Sequence, residues 1–503
     1  LTSSGALVLI LALLMLASCS DQASDASTAS EATVIEPDKA TEESPPTIHP
    51  TKEPDIVPEA TIVATEDAAP ETTPEDSEET ATPVSTDTPE PSQVETAEPT
   101  AELQSGGILE EIEAIRAEIE ANVVEVRGLE PKDPFVVTLL SREELRQRID
   151  EELLADYTAE DARNDAIVMS AFDFFSADFD LYGFTLDLLS EEIAGYYDPE
   201  TDEFVLISED DEFDVLEMLT HAHEYVHALQ DQHYDLEQFD DDTLDSEASM
   251  ALSALAEGDA TMVQTIYLIE GYLSMEELLA ALTEAMEIET PILDNAPPVL
   301  ARELMFPYLE GVAFVEALYM LDGFDAVDQA WEDPPQSTEH ILHPQRYLDG
   351  DAPQIVALAP LTDTLGTGWQ LICEDIVGEL YLGEYLDQQL ESRTVEIATT
   401  GWGGDKYAIY WNDDMESIVM LLRLAWDTPA DGDEFFNAYQ EYPGGLYGSK
   451  SRKQSDGGLC WESDDVICLY MFDGDTIISR APNLELAAMI AAEQLAFMGS
   501  EKA

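Results

Sequence analysis

An α+β fold is predicted for this chain of 503 residues, and three observations carry the prediction. Apolar residues recur at three- and four-residue steps over long stretches of its middle part, the spacing of helices that bury one face. Beyond about residue 400, short runs of β-branched and aromatic residues alternate with turn signals, the pattern of antiparallel strands. Between these, a hairpin pattern at 196–207 runs into a helix that carries four of the seven histidines.

Taken in chain order, residues 1–19 read as an export signal. The apolar run over 6–16 is shorter than the about 20 residues that span a bilayer. It ends in Leu16-Ala17-Ser18-Cys19, small residues before a cysteine, the lipobox pattern in which Cys19 becomes the lipidated first residue. Residues 20–106 are rich in Thr, Glu, Pro, Ser and Ala, lack aromatics, and set 22 acidic residues against Lys39 and Lys52 alone. Such a segment buries too little apolar surface to offset ordering entropy, so it is expected to be disordered and stretched by self-repulsion. The expected location is the outer face of a cell membrane, with the lipid at Cys19 as anchor and the acidic segment as tether.

Residues 107–503 suffice for two domains, assigned to 107–350 and 351–503. The first opens with an amphipathic helix at 108–124, a strand at 135–140 and a helix at 143–154. Asp198-Pro199-Glu200-Thr201-Asp202 is the turn of the hairpin. Val215, Leu219, Ala222, Val226 and Leu229 form the apolar stripe of the histidine helix. Ala, Met, Leu and Ile dominate a second helix at 248–267, residues 300–321 are mostly helical, and Pro334-Pro335 opens a turn. The second domain holds a helix at 373–390, strands at 406–411, 418–424, 466–472 and 476–479, and a last helix at 484–497. No internal repeat and no second hydrophobic span is read.

The chemistry concentrates in His221-Ala222-His223-Glu224-Tyr225-Val226-His227-Ala228-Leu229-Gln230-Asp231-Gln232-His233. His223, Glu224 and His227 form one HExxH. Four-residue spacing on a helix puts both imidazoles on one face, a turn apart, where they reach a single Zn²⁺. Glu224 projects beside them, suited to take a proton from an activated water rather than to bind the metal. A catalytic zinc needs a third protein ligand. His233 is one candidate, but it would need a glycine three residues after His227 to swing back, and Gln230 stands there. Glu257, on the second helix, is the favoured candidate.

With these motifs in view, the chain resembles the gluzincin zinc metallopeptidases, which join an HExxH to a glutamate on a following helix. It is similar to secreted bacterial and archaeal metallopeptidases of that kind. The likeness rests on Ala194-Gly195-Tyr196-Tyr197-Asp198-Pro199, the run from His223, Glu257-Gly258-Asp259-Ala260-Thr261, Ser337-Thr338-Glu339-His340-Ile341-Leu342-His343-Pro344, and Gly401-Trp402-Gly403-Gly404-Asp405-Lys406-Tyr407. It implies a zincin-like fold with a mixed or antiparallel sheet, an active-site helix and a C-terminal α+β lobe. It also implies zinc at His223, His227 and Glu257, Glu224 as catalytic base, and a peptide or protein substrate adding to a sheet edge next to the zinc helix. Many gluzincins carry an aspartate four residues after the glutamate ligand; Thr261 stands there, leaving Asp259 or Asp231 for the supporting role. His343 and Tyr347 are weighed as oxyanion stabilisers, and for the histidine the packing role is preferred.

A formal net charge of −91, of which about −71 falls on 107–503, excludes nucleic acid and anionic membrane surfaces as partners. Acidic clusters such as Asp240, Asp241 and Asp242 offer oxygens of the kind Ca²⁺ takes, so a structural Ca²⁺ is considered beside Zn²⁺. Cys460 and Cys468 are expected to face each other across a hairpin, with Cys373 able to pair with either. Two function classes remain: a surface zinc metallopeptidase, and a catalytically inactive, peptide- or cation-binding lipoprotein.

Overall fold

The computed structural model describes residues 102–501, apart from 156, 200, 202, 208–212, 237–243, 270–271, 286–287 and 289. The lipobox with Cys19, the tether through residue 101, and Asp240, Asp241 and Asp242 lie outside the described residues, as do Glu200 and Asp202 of the hairpin turn.

The chain is α+β, with helices around two separate sheets. The small sheet comprises β1 (Val136–Leu140), β2 (Gly195–Asp198) and β3 (Glu203–Ile207) in the order β1-β3-β2. It is mixed: β1 runs parallel to β3, while β2 pairs antiparallel with it, Tyr196 opposite Val205 and Tyr197 opposite Phe204. The strand entering the histidine helix is therefore central, and β2 is an edge. The large sheet is antiparallel in every pair. Its strands are β4 (Gln370–Asp375), β5 (Trp402–Asn412), β6 (Ser417–Trp426), β7 (Arg452–Lys453), β8 (Leu459–Glu462), β9 (Val466–Phe472) and β10 (Asp475–Ala481), ordered β4-β5-β6-β10-β9-β8-β7.

The structure corrects one expected element. Residues 373–390 do not form one helix: Cys373 lies in β4, and the helix is Gly378–Asp387. Asp405 draws the boundary, accepting the N–H groups of Val377 (2.8 Å) and Gly378 (2.9 Å) and the Trp402 indole N–H (2.8 Å). Gly378 sits at φ +70°, and a Cβ there would fall 1.8 Å from the Glu247 carboxyl. Cys460 and Cys468 are opposite one another in register and bonded to each other, which removes both as partners for Cys373. The first helix, Glu102–Arg127, starts six residues before the expected boundary.

The helix Ala159–Ala171 is not among the expected elements, although Thr158 and Asp161 form a capping box at its start. It buries Ile167, Val168 and Ala171 against Cys373, Trp402 and Tyr407 of the large sheet, so this core runs across residue 350. The helix Pro298–Asp322 is a second long apolar segment, sufficient in length and composition to cross a membrane. Here its Phe306, Phe314, Val315 and Leu318 pack with Met250, Ala254 and Leu255 of the helix Ser246–Ile269. The two helices touch backbone to backbone. A Cβ on Gly258 would lie 2.3 Å from the Gly311 carbonyl, and one on Gly311 2.2 Å from the Ala254 oxygen, so no other residue fits either position without pushing the helices apart.

Candidate metal centre

The histidine helix, Val215–Tyr234, is fixed at both ends. Asp214 caps its start in a reciprocal pair with Glu217. Its last turn is held by Asp231, whose Oδ1 accepts the Leu236 N–H (2.9 Å) while Asp235 takes a left-handed conformation. Between these ends every residue from Leu219 to Gln230 is buried, so the imidazoles sit among packed side chains rather than in water.

The contact of the Ser246–Ile269 helix with its glycine-paired neighbour places Glu257 over the HExxH turn. His223 Nε2 lies 3.0 Å from Glu257 Oε2, His227 Nε2 lies 3.3 Å from the same oxygen, and the two Nε2 atoms are 3.2 Å apart. Tetrahedral donors at about 2.0–2.1 Å from a zinc-sized ion stand about 3.3 Å from one another, so this triangle fits such an ion. Glu257 Oε1 is buried without a hydrogen-bond partner, as is His223 Nδ1. These three side chains could hold a metal ion. They are the only group of at least three His, Cys, Asp or Glu so placed among the described residues.

The protons are arranged to suit. Gln230 Nε2 donates to the Ala256 carbonyl (3.0 Å) and to Asp259 Oδ2 (3.1 Å), which leaves Gln230 Oε1 facing His227 Nδ1 at 2.8 Å. His227 therefore carries a hydrogen on Nδ1 in either charge state, which leaves Nε2 as the nitrogen that faces the centre and the one a metal would take on losing its proton. Asp259 is itself anchored: Arg127 Nε donates to Oδ1 (2.8 Å) and Oδ2 (3.1 Å), and the Trp331 indole N–H to Oδ2 (3.2 Å). Of the two aspartates left open by Thr261, Asp259 supports a histidine, through Gln230. Asp231 instead accepts the Tyr197 hydroxyl at 2.8 Å and ties β2 to the helix.

Electrostatics match this geometry. Burial works against charge on Glu257, yet His227 and His223 outweigh it and hold the carboxyl down to about 2. Burial likewise opposes charge on His227, and Glu257 outweighs it, raising the imidazole to about 9. A metal cation bound at the same point would displace the proton of this pair. Glu224, 4 % exposed, is pushed up from the usual carboxylate range by burial, with both histidines pulling the other way. The backbone N–H of Tyr197, on edge strand β2, bonds to its carboxylate.

The other histidines go elsewhere. His233 Nε2 meets the Glu130 carbonyl at 2.9 Å and points out of the centre, as expected for a helix that continues past Gln230. His221 bonds to Glu120 at 3.1 Å. His340 uses both ring nitrogens on backbone, Nδ1 accepting the Gln336 N–H (3.1 Å) and Nε2 meeting the Asp351 carbonyl (2.7 Å). His343 pairs with Glu379 at 3.0 Å, and the Tyr347 hydroxyl donates to the Asp333 carbonyl. Sequence patterns alone give no sign of Arg127 or Tyr308, whose ring stacks 6.2 Å from that of His223, nor of the role of Gln230. None has a motif of its own; only Gln230, beside His227, offers a local hint.

A family model described as a domain of unknown function, DUF8575, matches residues 370–490. That stretch begins at β4 and ends within the last helix, Leu484–Glu501, so it covers the large sheet and not the histidine centre. No curated protein and no solved structure matches the chain.

Proposed function

We propose that this protein is a gluzincin-type zinc metallopeptidase with a zincin-like fold, hydrolysing peptide bonds in proteins outside the cell. The observation that carries the reading is the Nε2–Nε2–Oε2 triangle with Glu224, which takes no part in it, in the turn between its histidines. A zinc ion held there would supply Lewis acidity, polarising a peptide carbonyl and acidifying a water. Glu224 accepts the proton of the attacking water and passes it to the leaving amine, a role favoured by the upward push that burial gives its carboxyl. The Tyr197 N–H keeps that carboxylate aimed while β2, as an edge, offers main-chain groups along which an extended peptide can lie. His223, His227 and Glu257 bind and Glu224 does not, a division a pure binding site has no use for. The lipobox at Cys19 supports a location on the cell surface.

The test is zinc content and hydrolysis of an unfolded protein by the full chain. About one zinc per chain, lost in the His223→Ala/His227→Ala double variant, and hydrolysis that falls at least about a hundredfold in Glu224→Gln are expected. Zinc retained by the double variant sinks the metal assignment. A zinc-loaded wild type with no hydrolysis returns the protein to the binding class.

A further inference from the structure

A cavity of about 70 Å³ lies between the helices Ala159–Ala171, Ser246–Ile269 and Pro298–Asp322 and the end of β4. It is apart from the metal centre: Met250 in its wall precedes Glu257 by seven residues, about 10 Å of helix rise. Three carboxylates reach it, Asp165, Glu303 and Asp375, exposed by 4, 4 and 6 %. The Tyr157 hydroxyl donates to Asp165 Oδ2 (2.8 Å), and the Ile376 N–H to Asp375 Oδ1 (2.8 Å). Glu303 Oε2 is buried with no hydrogen-bond partner. The rings of Phe172, Tyr381 and Tyr407 make up much of the remaining wall.

Acid and aromatic rings together select a particular chemistry. A shared metal ion does not fit, because the three carboxylates do not bring ligand atoms within 4.8 Å of one another. A cation with a carbon body does: its charge meets the carboxylates and its carbons and charge lie against ring faces. The volume is about half that of the ~150 Å³ cavity known to accept benzene, enough for an ammonium and two or three carbons. Half-buried Tyr381 and Ser246 form part of the rim, so a longer stem can leave the cavity there.

We propose that this cavity binds a primary ammonium group on a short alkyl stem, with Glu303 Oε2 as its principal acceptor. The stem belongs either to a free alkylamine or to a lysine side chain of a peptide. Burial lifts Glu303 to about 7 and Asp165 to about 8, so the empty cavity takes up protons that an arriving ammonium displaces.

Calorimetric titration of the full chain with propylammonium at pH 8, at constant ionic strength, tests this. Saturable binding is expected, weakened at least about tenfold by Glu303→Gln and by Asp165→Asn, each checked for folding by circular dichroism. His223→Ala should leave it unchanged, which separates this site from the metal centre. Competition by Nα-acetyl-lysine N-methylamide assigns the stem to a peptide lysine, and its failure to compete assigns it to a free amine. Absence of saturation up to about 100 mM, equal binding of propan-1-ol, or undiminished binding in both carboxamide variants overturns the proposal and leaves a water-filled gap.

Discussion

His227 Nδ1 lies 2.8 Å from Oε1 of Gln230, three residues further along the same helix. The amide is held in that sense by Ala256 and Asp259, and Asp259 by Arg127, so the orientation of one imidazole depends on residues from three helices. Gln230→Leu should therefore keep the fold but weaken metal retention by about 10–100-fold, measured by competition with a chelator. Unchanged retention would mean that the Gln230 bond does not set the lone-pair direction.

The two candidates for the third ligand separate cleanly. Glu257 sits 3.0 Å from His223 and His233 is bonded to the Glu130 carbonyl, so Glu257→Ala should abolish tight metal binding and His233→Ala should leave it nearly intact. Equilibrium dialysis of both variants decides it, and the reverse ranking rejects Glu257.

Gly258 follows Glu257 directly and touches Gly311 through backbone alone. A methyl group there must push the paired helices apart, so Gly258→Ala should cost at least about 1–3 kcal/mol in urea unfolding. Because the shift displaces Glu257, metal affinity should fall as well. A variant with wild-type stability would show that the helices give way without cost.

Stability should fall as pH rises from about 6 to 8. Burial raises Glu303 to about 7 and Asp165 to about 8 in the folded chain, so there the native state binds more protons than the unfolded state, whose carboxyls have ionised near 4. Each such group adds a negative slope of at most about 1.4 kcal/mol per pH unit. Surface acids are already ionised in this window, while Glu192, Glu339 and His227, raised to about 7, 8 and 9, add slope of the same sign. Glu303→Gln should flatten the dependence of the urea midpoint; an unaltered slope would show that Glu303 does not carry it.

The sequence alone determined the α+β class, the HExxH helix and the hairpin before it, because each rests on local spacing: a turn of helix, a two-residue alternation, a short reversal. For the cysteines it left Cys373 open as a partner for Cys460 or Cys468, and the strand register decided for Cys460–Cys468. It could name Glu257 as a candidate, since a resemblance carried it, but could not bring it to His223 across a gap of 34 residues. The helix 378–387 is expected too early from local patterns because the signal that starts it, Asp405, lies 27 residues downstream of Gly378. The roles of Gln230 and Arg127 were equally hidden, and the sequence left Asp259 and Asp231 undecided as the supporting aspartate. What tertiary structure decided is how helices meet: Gly258 on Gly311 sets the approach of Glu257, and Arg127, 132 residues before Asp259, closes the hydrogen-bond chain that turns His227. Hydrogen bonds and close backbone contacts are short-ranged in space and indifferent to sequence distance, so no window along the chain contains them.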